Sequence, residues 1–373
     1  KQLGKLLNQE KFKRKINCST FESSENVDWN GLSNQLKKSS YFSIIPYNKN
    51  KFISIGNFSL TFDDQNDFSL ENNLINKFPV NKDGNIIDFD EIAQSAYLRG
   101  ADKKLAALKM DVDNLGTLFM NRNKEEYKYI SQAIENFFSV TLYTDILKPH
   151  IEKGDIYPVF AGGDDTFIIG AWDKILEITP IIHTAFDNAQ NEWKKNIKQE
   201  DDITISAGIV IVHPKFPMIR LADKVEDLLA LAKKQGKNRI GVFGECITWK
   251  EFKRVCGMMN LLKDLVIEKG ESKSLLHRIS SSEIGFRSLQ DKIKKRNEID
   301  FPKVYRLKYY LRNAKTEENK KQLDEFFKNY SEALLSDFMA DKTKAEKSTL
   351  TNPAIFPIAA RWTELLIKNK DLK

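Results

Sequence analysis

The chain has 373 residues, 41% of them hydrophobic and 30% charged. That length suits two or three domains, and the composition excludes a disordered, collagen-like or disulfide-stapled protein. The net charge of +7 is unevenly spread: residues 251–373 carry 26 Lys and Arg against 18 Asp and Glu, the first 250 residues 33 against 34. A basic excess in the last third fits either a surface facing nucleic acid or solvated helical faces. Three cysteines (Cys18, Cys246 and Cys256) form no CxxC pair and no metal-ligand spacing, the usage of a reducing cytoplasm. No run of about 18 apolar residues exists, so no membrane span is expected. The first residue is Lys1 rather than Met, which suggests a fragment of a longer protein.

In chain order, residues 1–35 are polar and rich in Lys and Asn, opening with a short amphipathic piece (Leu3, Leu6, Leu7). Residues 41–45 and 51–62 read as short strands around the turn-like PYNKNK. A loop-rich stretch follows, with a turn at NKDGN (81–85) and a short helix near 89–98. From residue 104 the pattern sharpens. KLAALKMDVD is a mostly apolar strand that ends in carboxylates. Residues 125–147 carry apolar positions at helical spacing, among them Tyr129, Ala133, Phe137 and Leu142. IYPVFAGGDDTFIIGAW (156–172) reads as strand, tight turn, strand, because GGDD suits a hairpin turn far better than a strand interior. A helix over 173–196, a strand over 203–212, a helix over 220–235 and a strand over 239–243 complete the order β-α-β-β-α-β-α-β. This predicts an α+β fold: a ferredoxin-like nucleotidyl-cyclase or polymerase palm with one added helix and strand. Past residue 250 the pattern is helical throughout, over 251–268, 274–297, 302–313, 318–337 and 354–369, an all-α C-terminal domain. The expected divisions are thus 1–100, 101–250 and 251–373.

The chemistry is carried by two acidic clusters, Asp111 with Asp113 at a strand end and Asp164 with Asp165 in the hairpin turn. In a βαββαβ sheet their strands are adjacent, so the clusters meet. Carboxylates forced together repel unless a cation stands among them. Hard Mg²⁺ or Mn²⁺ ions suit such a site, held by a couple of carboxylates and substrate phosphates. A pair of ions can activate an attacking hydroxyl and stabilise leaving pyrophosphate. Gly162 and Gly163 permit tight backbone geometry and close approach of a ligand. Each cluster alone reads as an ordinary turn; together, on apolar strands in palm order, they read as a metal site. Lys233 and Lys237 flank a turn at Gly236, where they could neutralise the outer phosphates of a triphosphate. A Walker loop is excluded, since Asn238 stands where Ser or Thr would follow the lysine.

KLAALKMDVDNLGTLF (104–119), IYPVFAGGDDTFIIGAWD (156–173), TISAGIVIVHPKFPM (204–218) and AKKQGKNRIGVFGE (232–245) together resemble the second palm of one family. This is the large polymerase/cyclase subunit of type III CRISPR effector complexes, subtype A. GGDD alone is weak, because diguanylate cyclases use a related signature; DVDNLG with GGDD, GAWD and SAGI is specific. The resemblance implies ATP as substrate and two divalent ions, Mg²⁺ or Mn²⁺. Asp111 and Asp164 or Asp165 would be ligands, with the Val112 carbonyl added. The backbone of Asn114, Leu115 and Gly116 would cradle phosphates, and Ser206 would lie near the adenine or simply be hydrogen-bonded within its strand. It further implies other subunits of the ribonucleoprotein as partners, with CRISPR RNA and target RNA met through the complex, and a cytoplasmic location. Full-length members carry an HD nuclease, a first palm and a CxxC zinc site. None is identifiable here: none of the four histidines precedes an Asp. The chain therefore looks like the C-terminal half, and the family's single-stranded DNase activity is not supported by it.

The leading expectation is synthesis of cyclic oligoadenylate from ATP on target-RNA binding, in antiviral defence. A stand-alone nucleotide cyclase is a second reading, against which the helical tail and lack of a sensor domain count. A non-catalytic scaffold binding RNA and partner proteins is a third, against which the cost of keeping repelling carboxylates together counts. In the tail, Tyr305, Tyr309 and Arg312 fall on one helix face. Because basic and acidic residues alternate there, docking on a protein is favoured over lying along RNA.

Overall fold

The computed structural model describes residues 42–44, 53–55, 79, 87–120, 122–198, 200–282, 305–339 and 352–370. The expected N-terminal amphipathic piece, the PYNKNK and NKDGN turns and the helix beyond residue 282 lie outside these. The chain divides into two units, Lys1–Lys77 and Phe78–Lys373. In the first, β1 (Phe42–Ile44) and β2 (Ile53–Ile55) pair antiparallel, with Phe42 opposite Ile55.

The second unit is built on a six-stranded sheet. Its strands are β3 (Leu105–Val112), β4 (Ile156–Gly162), β5 (Asp165–Ala171), β6 (Ile205–Val212), β7 (Arg239–Val242) and β8 (Glu245–Thr248), in the order β4-β5-β3-β6-β7-β8. The first four have the predicted ferredoxin-like order, with β3 antiparallel to both β5 and β6. β7 adds parallel to β6. β8, a strand the sequence pattern did not predict, folds back on β7 through Phe243 and Gly244 at φ 52° and 83°. Two consecutive positive φ values are those of a type I′ hairpin turn. β4 tolerates Pro158 because it is an edge strand, and a register shift between Pro158 and Phe160 marks the irregularity.

Helices cover both faces. α1 (Phe89–Leu98) opens with a capping box between Asp88 and Glu91. A short α2 (Leu115–Phe119) follows β3, and then α3 (Lys124–Asn136) widens into an i→i+5 hydrogen-bonded stretch over Phe137–Leu147 before α4 (Lys148–Glu152). α5 (Trp172–Asn196) and α6 (Met218–Lys234) are the long palm helices. Strand alternation fixes which face each covers. A Cβ on Gly170, which pairs with Ala106, would lie 3.1 Å from Ile175 of α5. A Cβ on Gly208, which pairs with Lys109, would lie 2.8 Å from the Val225 carbonyl of α6. So α5 lies on the even-numbered face of β3, and α6 on the odd-numbered face that carries Lys109 and Asp111. A salt bridge from Lys109 to Glu226 of α6 agrees. At the opposite end of the sheet Arg99 grips both Asp155 (2.7 Å) and Asp173 (2.7 and 2.9 Å), tying α1 to β4 and α5.

The helical region comprises α7 (Trp249–Ile267), α8 from Ser274, α9 (Tyr305–Tyr310), α10 (Glu317–Met339) and α11 (Ile355–Leu366). It is continuous with the palm: Trp249 Nε1 donates to the Ile205 carbonyl (2.8 Å), and the Asp102 amide donates to Leu365 (2.8 Å). Phe252 stacks on Trp362, and Tyr330 on Phe356. Buried Glu271 accepts from Tyr310 (3.0 Å), the Lys315 amide (2.9 Å) and Asn319 (2.8 Å), which ties the start of α10 to the end of α7. A buried carboxylate with three donors is satisfied. Among the described residues no helix is long and apolar enough to cross a membrane.

Candidate active site

β3 ends where antiparallel β5 begins, and their register sets Asp111 directly opposite Asp165. Directly opposed residues share a face, with Cβ atoms about 4.5–5.5 Å apart. The hairpin between β4 and β5 is tight: Gly162 pairs with Asp165, leaving Gly163 and Asp164 at the tip. Gly163 has φ 68°, the conformation a type II′ turn demands of its first central residue. The Val112 amide donates to the Asp164 carbonyl (3.1 Å), which fastens the hairpin tip to the end of β3. Beyond the strand, Asn114 takes the left-handed conformation (φ 56°) and starts α2. Cβ atoms added at Gly116 or Gly163 would meet nothing within 4 Å, so both glycines border open space.

Electrostatics single out the same two carboxyls. Burial, reinforced by Asp164 and Asp111, pushes Asp165 up to about 6, although Lys109 acts against it. Burial also raises Asp111, opposed by Lys233. Lys233, in the last turn of α6, contacts Asp111 at 2.5 Å. Lys237 reaches the Asn114 side-chain oxygen. Both lysines therefore converge on the acidic end of β3 from the end of α6 and the loop after it, more than a hundred residues away in sequence.

Two residues grouped with this site by sequence have other work. Asp113 is 3% exposed and its carboxylate is fully engaged: it accepts from Ser206 (2.8 Å), Thr204 (2.8 Å) and the Asn238 amide (2.9 Å). Ser206 is buried with its hydroxyl committed to Asp113, the in-strand alternative to an adenine contact. Neither the roles of Thr204 and Asn238 nor that of Lys109 was foreseen. The Thr204–Ser206 alternation in TISAGI was the available signal, since both hydroxyls fall on one strand face.

Among the described residues, no three His, Cys, Asp or Glu side chains form a ready metal cluster. The donor set fits a hard divalent ion nonetheless. Asp111 and Asp165, with Asp164 beside them and open space at Gly116 and Gly163, offer the few carboxylates that Mg²⁺ takes when phosphates and waters complete its shell. They do not offer a cage made by protein alone. Lys233 supplies the neutralising cation for Asp111 in this arrangement.

Residues 104–241 match the family model Cas10/Cmr2, second palm domain. The subtype III-A single-strand-specific deoxyribonuclease Cas10/Csm1 of Methanocaldococcus jannaschii is 34% identical over 239 residues, covering 58% of this chain and 28% of that protein. The Cas10/Csm1 of Thermococcus onnurineus is 32% identical over 182 residues, covering 45% of this chain and 22% of that protein. Among solved structures, the apo Csm1–Csm4 cassette aligns with a TM-score of 0.56 at 19% identity, over 79% of this chain and 40% of that chain. Csm1 of T. onnurineus aligns with a TM-score of 0.53 at 22% identity, over 78% and 40%. The chain thus spans less than a third of the length of these curated relatives. Sheet order, the paired DVD and GGDD strand ends and the sequence match agree: residues 104–241 form a palm sheet similar to the second palm domain of the Cas10/Cmr2 family and to type III-A Cas10/Csm1.

Proposed function

We propose that this chain is the nucleotidyl-transfer portion of a type III-A large subunit and makes cyclic oligoadenylate from ATP when its complex binds target RNA. The observation that carries the reading is the register of Asp111 against Asp165, with Lys233 and Lys237 converging on the same strand end. Related Csm1–Csm4 cassettes of the same fold were solved with cA3 and with pppApApA, which supports an adenylate substrate. Asp111, Asp165 or Asp164, and the Val112 carbonyl would hold the ions. Bound divalent ions supply the Lewis acidity that activates a 3′-hydroxyl and stabilises leaving pyrophosphate. Lys233 exchanges Asp111 for the outer phosphates, and Lys237 follows from its position over Asn114. The backbone from Asn114 to Gly116 has first-turn amides that would donate to phosphate oxygens, and Gly116 leaves room for them. Holding both reactants in line is the larger part of what such a site contributes. The partners in this reading are a Csm4-like subunit and the remaining members of the ribonucleoprotein, with CRISPR RNA and target RNA.

Replacing Asp164 and Asp165 together by Ala in the assembled complex tests it. Labelled ATP with Mn²⁺ and target RNA should yield oligoadenylate from the wild type and none from the double variant, at equal complex yield. Unchanged oligoadenylate from the variant refutes the assignment.

A further inference from the structure

We infer that Asp113 is a positioning residue: its carboxylate latches the 236–238 loop to the end of β3 and thereby aims Lys237 at the phosphate side of the site. The loop has reason to need a latch. α6 ends in a Schellman motif, with the Gly236 amide on the Lys233 carbonyl (3.4 Å) and the Lys237 amide on the Ala232 carbonyl (3.3 Å). Gly236 adopts φ 125° there, as a glycine can. Lys237 and Asn238 then continue at φ 61° and 47°, two successive non-glycine residues in a sparsely populated region. Such a conformation persists only where its surroundings over-determine it.

Asp113 supplies that determination. One oxygen accepts from the Asn238 amide (2.9 Å) and from Thr204 (2.8 Å); the other accepts from Ser206 (2.8 Å). The Asp113 amide adds a bond to the Thr204 carbonyl (2.8 Å). One buried carboxylate thus joins three segments: the end of β3, the start of β6 and the loop after α6. Its neighbour in sequence, Asn114, is the residue that Lys237 contacts, so the latch sets both ends of the Lys237–Asn114 bond. With three donors on two oxygens, Asp113 has both oxygens hydrogen-bonded without an ion. Asp113 therefore acts through Lys237 and not as a metal ligand.

What Lys237 does with its aim rests on the proposed nucleotidyl-transfer reading; the latch itself does not, so the test has two arms. In Asp113→Asn the charge is lost and one of the two acceptor oxygens becomes an amide donor, while shape is kept. With no nucleotide present, limited trypsin digestion of the full chain should cut after Lys237 about tenfold faster than in wild type, the size expected for a lost hydrogen bond to a charged group. Cutting after Lys153, remote in the fold, should be unchanged. In the second arm, ATP with Mn²⁺ should bind about tenfold more weakly to the variant while adenosine binding holds. The double variant D113N/K237A should lose no more than the worse single variant, since both changes act through one lysine. Equal cutting in variant and wild type overturns the latch. Faster cutting with unchanged ATP affinity, or equal losses for ATP and adenosine, overturns the positioning role. If D113N cuts faster at every site, Ser206→Ala and Thr204→Val, each removing a single hydrogen bond, carry the same two measurements. A wild type that binds no ATP refutes the proposed function, and the cutting arm still decides the latch.

Discussion

Asp165→Asn gives the sharpest test of how the acidic site is built. Burial holds the Asp165 carboxyl at about 6 against an ordinary 3.8, so the folded chain prefers the protonated form. That preference is fully available below about pH 4 and is lost as pH rises through 6. Above pH 7 the ionised carboxylate therefore weakens the metal-free protein, and a neutral amide of the same shape should relieve it. A rise of this size corresponds to roughly 3 kcal/mol. The carboxyl is only half-buried, so solvent screening reduces the relief to about 1 kcal/mol. Losing the attraction of Lys109 is already contained in the net upward direction. In chelator, the variant should melt about 1–2 °C above wild type at pH 8 and level with it near pH 4. Saturating Mn²⁺ should reverse the order at pH 8, because an ion held at 100 times its dissociation constant stabilises only the chain that binds it, by about 2.7 kcal/mol. A variant that melts lower than wild type at pH 8 in chelator, or that gains equally at both pH values, refutes this account.

Lys233→Ala should weaken ATP–Mn²⁺ about tenfold, as expected for a charge-assisted contact, ADP less, and adenosine not at all; an equal loss for adenosine in calorimetry would show that Lys233 is no phosphate ligand. Gly208→Ala should cost about 1–3 kcal/mol by overpacking, because its Cβ meets α6 backbone at 2.8 and 2.9 Å. It should also weaken ATP binding, since displaced α6 carries Lys233; chemical denaturation alongside ATP titration checks both.

The palm was legible because its signals are local. β3 and β5 are long apolar strands, GGDD has the residues a two-residue turn needs, and the added parallel strand follows a helix with clear periodicity. Trp172–Asn196 kept its helix despite Pro180, where packing against the sheet overrides a local breaker. β8 was hidden because its four residues are followed at once by a capping box, Thr248 with Glu251, that speaks for the helix. In the tail, Tyr309 and Tyr310 are adjacent in sequence, both among basic residues. The fold separates them: Tyr309 is 60% exposed with the Arg312 guanidinium 4.9 Å over its ring, and Tyr310 is buried on Glu271. Burial and the Glu271 carboxylate push the Tyr310 hydroxyl up to about 12. Tyr310 thus belongs to the internal hydrogen bonding of the helical region, as does buried Tyr330, which accepts from Ser282.

The division between Asp111 and Asp113 was out of reach of sequence for a different reason. Both are aspartates at alternate positions, so the period of a strand puts them on one face and gives them the same reading. What separates them arrives from far along the chain: Thr204, Ser206 and the Asn238 amide stand 91, 93 and 125 residues away. Three donors satisfy Asp113, whereas Asp111 meets Asp165 and the mobile charge of Lys233. A flexible lysine can leave a carboxylate when a better cation and a phosphate arrive together; a buried carboxylate holding an amide and two hydroxyls cannot without exposing them. The same DVD spelling therefore yields one carboxylate that can change partners and one that keeps them, and in the proposed reaction this difference would let the reacting centre form against a fixed frame.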